Sequence, residues 1–204
     1  EKGLIPVKLG AKDGLSLING TSQMCAFIAE SQIALSNILP MADLISCVTI
    51  DARECSIKPM DKRVHDVRPH SGQKLVAKRI TELLKGSEIL QSHSNCSKVQ
   101  DAYSFRCIPQ VHGAVYEKYK ILEDTIRIEI NSATDNPLVF PDSSLSLKEQ
   151  VVSQGNFHGE ILGLTSDNMS HALFELGCIS ERRIDQVVDP VRSDLPAYLA
   201  TNSG

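Results

Sequence analysis

The chain has 204 residues, with 42% apolar and 23% charged residues and a formal net charge of −4, which fits an ordinary globular protein able to bury its own core. This acidic balance, with a pI near 5.9, argues against nucleic acid or an anionic membrane as the main partner, since both select a basic face. No apolar run is read as reaching the roughly 18 to 20 residues that span a bilayer, and the opening residues carry no secretory signal pattern.

Residues 1 to 13 are short, mixed and marked by Gly and Pro, so strand or loop is expected there. From Gly20 the pattern turns helical, with Thr21 as N-cap and Met24, Phe27, Ile28 and Leu35 at helical spacing up to a stop at Pro40. A second helix is predicted over 41 to 55. Residues 56 to 71, SIKPMDKRVHDVRPHS, hold two prolines and many charges and are expected to form an ordered loop. Ser71 then caps a helix through Leu84, with Leu75, Val76, Ile80, Leu83 and Leu84 as its apolar stripe and Gly86 as its stop.

Pro109 suits the first turn of the next helix, where its missing N–H costs little. Val111, Val115, Leu122, Ile126 and Ile130 repeat along that helix until Asp135-Asn136-Pro137 ends it. LVFP after it reads as a brief extended piece, and the Ser-rich residues 141 to 153 as a mobile loop. The last long helix is predicted from about Asn156 to Val188, with Leu162, Met169, Leu173, Leu176, Ile184 and Val187 as its apolar pattern, before a loop holding Pro190 and Pro196. Aromatic residues make up only 4% and Trp is absent, so the core must be aliphatic. The pattern predicts a mainly α protein of long, packed helices.

Six cysteines, Cys25, Cys47, Cys55, Cys96, Cys107 and Cys178, stand singly without a CxxC pair, as expected of reduced, structural thiols in a cytoplasmic protein. His65 and His70 flank Arg68-Pro69, which prevents one helix from presenting both, so no metal site is expected.

Three predicted helix mouths share one character. GLSLINGT (14 to 21) places Asn19 before the first long helix; VQDAYSFRCIPQVHG (99 to 113) places Gln100, Tyr103 and Arg106 before the middle one; SQGNFHGE (153 to 160) places Asn156, Phe157 and His158 before the last. Helix N-termini carry partial positive charge and unpaired N–H groups, so convergent mouths would favour an electron-rich ligand. Taken singly, each residue has an ordinary explanation. Asn19-Gly20 is common turn chemistry, Arg106 suits a surface ion pair, Phe157 suits a core, and Asn136 suits a helix terminator. A phenol such as Tyr103 is a poor base at neutral pH unless nearby charge changes it.

In this order and at these separations, GLSLINGT, VQDAYSFRCIPQVHG, NSATDNPLVF, SQGNFHGE and ISERRIDQVVDP together resemble the aromatic amino-acid ammonia-lyase family, most closely its histidase branch, over essentially all 204 residues. The resemblance implies a long antiparallel helix bundle of the ammonia-lyase and fumarase-like type. It implies elimination of ammonia from L-histidine to give trans-urocanate, using a 4-methylidene-imidazol-5-one (MIO) electrophile formed from an Ala-Ser-Gly tripeptide. It further implies a homotetramer whose pockets draw on several subunits. By motif, Asn19 would steady the oxygen of the electrophile, and Arg106 would hold the substrate carboxylate, with Asn136 helping to orient it. Gln100 and Tyr103 would line the pocket near the amine, Tyr103 handling a proton, and Phe157 would pack beside the prosthetic ring.

The sequence also departs from the family. No Ala-Ser-Gly occurs in the 204 residues. The first residue is not Met and the last residues, LATNSG, show no helix end, so the chain is expected to be the central, single-domain helical region of a longer lyase and to release no ammonia by itself. Gln154 stands where the family usually has Gly, and a side chain there is expected to crowd the helix mouth. The alternatives are a phenylalanine or tyrosine ammonia-lyase or aminomutase, and a non-catalytic helical scaffold. The fumarase and aspartase group is disfavoured because its GSSxMPxKxN-type loop is absent.

Overall fold

The computed structural model describes residues 2–95 and 98–201. An irregular opening leads to a short helix α1 (Asp13–Ile18) and then to α2 (Ser22–Ala52), α3 (Lys62–Asp66), α4 (Ser71–Leu83) and α5 (Glu88–Ser92). A one-turn helix α6 (Tyr103–Arg106) runs directly into α7 (Ile108–Glu129). A two-residue strand β1 (Leu138–Val139), a turn of helix α8 (Leu147–Gln150) and strand β2 (Val151–Val152) precede α9 (Glu160–Val188) and α10 (Pro190–Ser193).

The expected stop at Pro40 is overturned, because α2 is one helix of 31 residues with Pro40 inside it. Proline removes one helical hydrogen bond and crowds the preceding turn. Here Leu35 and Leu39 on one side of it, and Asp43, Ser46, Cys47 and Ile50 on the other, form a single buried stripe. Packing of both halves onto the bundle keeps the helix continuous through the missing bond. The helical stretch Asp13–Ala52, which contains α2, is long and apolar enough by length and composition to cross a membrane, contrary to the expectation from sequence. Its buried stripe nevertheless carries Asp43 and Ser46, and it packs on α4, α7 and α9, as a core helix does.

Three buried clusters, stacked end to end, define the bundle. Cys25, Ile126 and Leu162 meet at one end. Leu35, Leu39, Val115, Leu122, Met169 and Leu176 fill the middle. Cys47, Ile50, Val76, Ile80, Phe105, Ile108 and Val187 close the other end. As the numbers rise along α2 and α9 they fall along α7, so α7 runs antiparallel to both. Some residues of the predicted helical patterns face outward: Phe27, Ile130 and Ile184 are each about three-fifths exposed (62%, 61% and 61%). The inward face of α7 is set by Ile108, His112, Val115, Leu122 and Ile126.

Helices α4 and α7 approach each other very closely. A Cβ on Gly72 would lie 2.1 Å from the Gly113 carbonyl oxygen, and one on Gly113 would lie 2.4 Å from the Gln73 nitrogen. Glycine at both positions is what lets these helices touch backbone to backbone.

The expected loop over 56 to 71 contains α3 and a 3-10 turn (Lys58–Met60). The Ser-rich segment is also partly ordered: Ser146 and Glu149 form a reciprocal cap on α8, and β2 pairs antiparallel with β1, Leu138 opposite Val152. Among the described cysteines, Cys25, Cys47 and Cys55 are buried free thiols. Burial pushes Cys47 up to about 11 and Cys55 up to about 12, as suits inert structural residues. Cys96 lies outside the described residues.

Candidate functional site

At the Cys25–Ile126–Leu162 end, the starts of α2 and α9 come together. Thr21 caps α2 and Gly159 caps α9. A Cβ on Gly159 would meet the Met24 methyl at 2.4 Å and Thr21 at 3.3 Å, so the absent side chain is what permits the contact. Between them opens a cleft of about 350 Å³ lined by Asn19, Gly20, Asn136 and Phe157 together with both caps. Two long helices therefore point their electropositive ends at one cavity.

The polar groups of this cleft are held from behind. Lys12 donates to Asp135 Oδ2 at 2.5 Å and also to the Asn136 carbonyl oxygen. Lys12 and the Asn136 main-chain N–H hold the Asp135 carboxyl below its usual range, the lysine contact being the larger cause. Asn136 Oδ1 accepts from the Gln154 N–H at 2.8 Å and from Ser153 Oγ at 3.3 Å. The Gln154 side chain does not crowd the mouth as expected. It folds back, donating to the Asp135 carbonyl at 2.6 Å and accepting from the Asn156 N–H. Asn19 ends α1 with its carboxamide exposed, and Phe157 is 49% exposed at the rim.

Gln100, Tyr103 and Arg106 lie elsewhere. They sit at the start of α7, which is 22 residues long and so separates them from the Asn19 cleft by about 33 Å. Within one chain the expected convergence of three mouths is thus two mouths at one end and the third at the other. On α6 the Arg106 guanidinium stacks on the Tyr103 ring at 4.8 Å from its centroid. Tyr103 is 74% exposed, and the shielded Nε of Arg106 has no partner among the described residues. A half-buried planar cation stacked on an exposed ring is suited to a carboxylate that approaches its outer guanidinium nitrogens.

Sequence reasoning missed a third constellation, buried between the two ends. His112 Nδ1 lies 2.7 Å from Asp43 Oδ1, and both residues are almost wholly buried. Asp43 Oδ2 accepts from Arg79 at 2.6 Å and from the Tyr116 hydroxyl at 3.2 Å. Burial first, then the Asp43 charge, pushes the Tyr116 phenol up, which keeps it a donor. On the opposite side of the imidazole, Arg183 Nη2 lies 3.2 Å from His112 Nε2. Burial lowers Arg183 to about 10, so it stays cationic at neutral pH. The sequence did carry a signal for this network: Asp43, His112 and Arg183 each occupy an inward position of an otherwise apolar helical stripe.

The profile of the aromatic amino acid lyase family matches residues 1–204. The chain belongs to that family. The chain is 48% identical over 202 residues to a histidine ammonia-lyase of Myxococcus xanthus, covering 99% of this chain and 39% of the relative. It is 42% identical over 208 residues to the Caenorhabditis elegans histidine ammonia-lyase, covering 100% of this chain and 30% of that one. Among solved structures it is similar to histidine ammonia-lyase from Trypanosoma cruzi, with a TM-score of 0.81 and 41% identity over 99% of this chain and 36% of that one. It is also similar to a tyrosine aminomutase from Streptomyces globisporus, with a TM-score of 0.87 and 32% identity over 100% and 41% of the two chains. The chain thus spans less than half the length of the curated relatives it matches.

Proposed function

We propose that the full-length protein is a histidine ammonia-lyase, eliminating ammonia from L-histidine to give trans-urocanate, and that these 204 residues are its central helical region. The observation that carries this reading is the meeting of Asn19, Asn136 and Phe157 on one cleft at two helix N-termini. Such a cleft stabilises negative charge that develops on a bound group, because its dipoles are fixed before the reaction begins.

The residues of that cleft fit an MIO group: a free carboxamide for a ring oxygen, an aromatic face for a planar ring, and helix ends for the charge. No Ala-Ser-Gly occurs among these residues to form one. When bound, MIO supplies an electrophile for the substrate amine. Asn19 would hydrogen-bond the ring oxygen, and Phe157 would pack against the ring or the substrate. Asn136 would present its Nδ2 donor to the substrate, since its oxygen is already engaged. Arg106 would pair with the carboxylate in fork geometry, Gln100 would line the amine side, and Tyr103 would hold or pass a proton at its phenol oxygen.

One chain separates these groups by the length of α7, so we propose that one site combines the two ends from different copies in a homotetramer. Support comes from the outward face of α2, where Ile33, Ile38, Met41, Ile45 and Val48 are each at least half exposed (63%, 50%, 52%, 55% and 63%), a surface suited to burial between helices of neighbouring copies. A cytoplasmic location fits the free thiols. The test is absorbance at the urocanate band after purified full-length protein meets L-histidine, with L-tyrosine and L-phenylalanine in parallel. Tyrosine or phenylalanine lyase or mutase activity is the second reading, favoured by the likeness to the tyrosine aminomutase. Turnover of either in place of histidine would establish it.

A further inference from the structure

We propose that Arg183 is a positioning residue for the carboxylate-binding turn α6. This rests on the reading of Arg106 and Tyr103 given above. A single helical turn has little stability of its own, and its orientation is decided by what holds it. Two things hold α6: Phe105 is buried in the end cluster, and the Ser104 carbonyl oxygen accepts from Arg183 Nη1 at 3.2 Å. Arg106 and Tyr103 flank those two anchored residues.

Arg183 is itself fixed from three sides. Its Nη2 donates to Ser180 Oγ at 3.1 Å and to His112 Nε2 at 3.2 Å. A guanidinium can only donate, so His112 Nε2 must carry the lone pair and Nδ1 the proton. That proton is donated to Asp43 Oδ1 at 2.7 Å, and Asp43 is gripped in turn by Arg79 and Tyr116. One line of hydrogen bonds therefore runs from α4 and α2 through α7 and α9 to α6. Each link fixes the next: the carboxylate sets the tautomer, the tautomer orients the guanidinium, and the guanidinium holds the turn. Lysine at position 183 would keep the charge, but a single ammonium lacks the planar fork that spans His112 and Ser104 at once.

The experiment uses the full-length protein with Arg183→Lys, Arg183→Gln, Arg106→Gln and the R106Q/R183Q double variant. Amide hydrogen exchange over 102 to 107 is expected to speed up at least tenfold in Arg183→Lys, with the middle of α7 and α9 unchanged. KM for L-histidine is expected to rise about tenfold with a smaller change in kcat, and the double variant should be no worse than Arg106→Gln alone. His112→Gln can donate to Asp43 and accept from Arg183, and should keep KM near the wild-type value. Should Arg183→Gln not assemble, Arg183→Lys decides. Unchanged exchange in α6, or additive losses in the double variant, would overturn the proposal. Wild-type protein inactive on L-histidine would instead overturn the proposed function, and exchange over 102 to 107 would still decide the role of Arg183.

Discussion

The Gln154 main-chain N–H donates to Asn136 Oδ1 at 2.8 Å, and Ser153 Oγ reaches the same oxygen at 3.3 Å. Two donors on one oxygen fix the amide's orientation, leaving Nδ2 as the end available to a ligand in the cleft. Asn136→Asp would replace that donor with a second carboxylate oxygen and repel an electron-rich substrate group. Loss of a hydrogen bond to a charged partner costs about 1.5–3 kcal/mol, so kcat/KM should fall roughly 10- to 100-fold or further. Circular dichroism should be unchanged.

Gln154→Gly keeps the main-chain donor. It removes only the side-chain bonds to the Asp135 carbonyl and the Asn156 N–H, each worth about 0.5–1.5 kcal/mol. The expected result is a small loss of thermal stability and activity close to wild type. A large loss of activity would show that the folded-back side chain does more than brace the loop.

Gly113→Ala tests the α4–α7 crossing. The added methyl would sit 2.4 Å from the Gln73 nitrogen and 2.7 Å from the Gly72 carbonyl carbon, and backbone cannot step aside as a side chain can. Overpacking of this kind costs about 1–3 kcal/mol, occasionally more. A lowered unfolding midpoint in calorimetry is the expected outcome.

His112 makes stability depend on pH. Burial, helped by the nearby Arg183 cation and opposed by Asp43, lowers it below its ordinary 6.5. Between the folded value and 6.5 the unfolded chain binds a proton that the folded chain does not. The stabilisation is therefore complete above that window and is lost as pH falls through it, with a slope of at most about 1.4 kcal/mol per pH unit. His112→Gln should flatten this part of the curve when denaturation midpoints are compared from pH 7.5 to 5.

Much of this architecture was legible in the sequence, because α4, α7 and α9 follow helical spacing over many turns and leave little choice of partner face. Pro40 misled because local chemistry argues for a stop, while the long-range packing of Leu35, Leu39, Cys47 and Ile50 outweighs one lost bond. Phe27 and Ile184 share the helical spacing yet face outward, because spacing shows that a face is apolar without showing whether the same chain covers it. In the candidate site, Asn19, Asn136 and Phe157 line one cleft. Arg106 and Tyr103 lie a helix length away, since a linear pattern does not distinguish a pocket within one chain from one shared between copies.

Complementation between two inactive full-length variants tests the shared site most directly. Asn136→Ala disables one end of the bundle and Arg106→Ala the other, and each alone should be folded, assembled and inactive. If every site draws these two residues from different copies, co-expressed mixed assemblies will contain some sites with both wild-type residues, and release of urocanate from L-histidine will reappear. Mixed assemblies that stay as inactive as their parents would contradict the account.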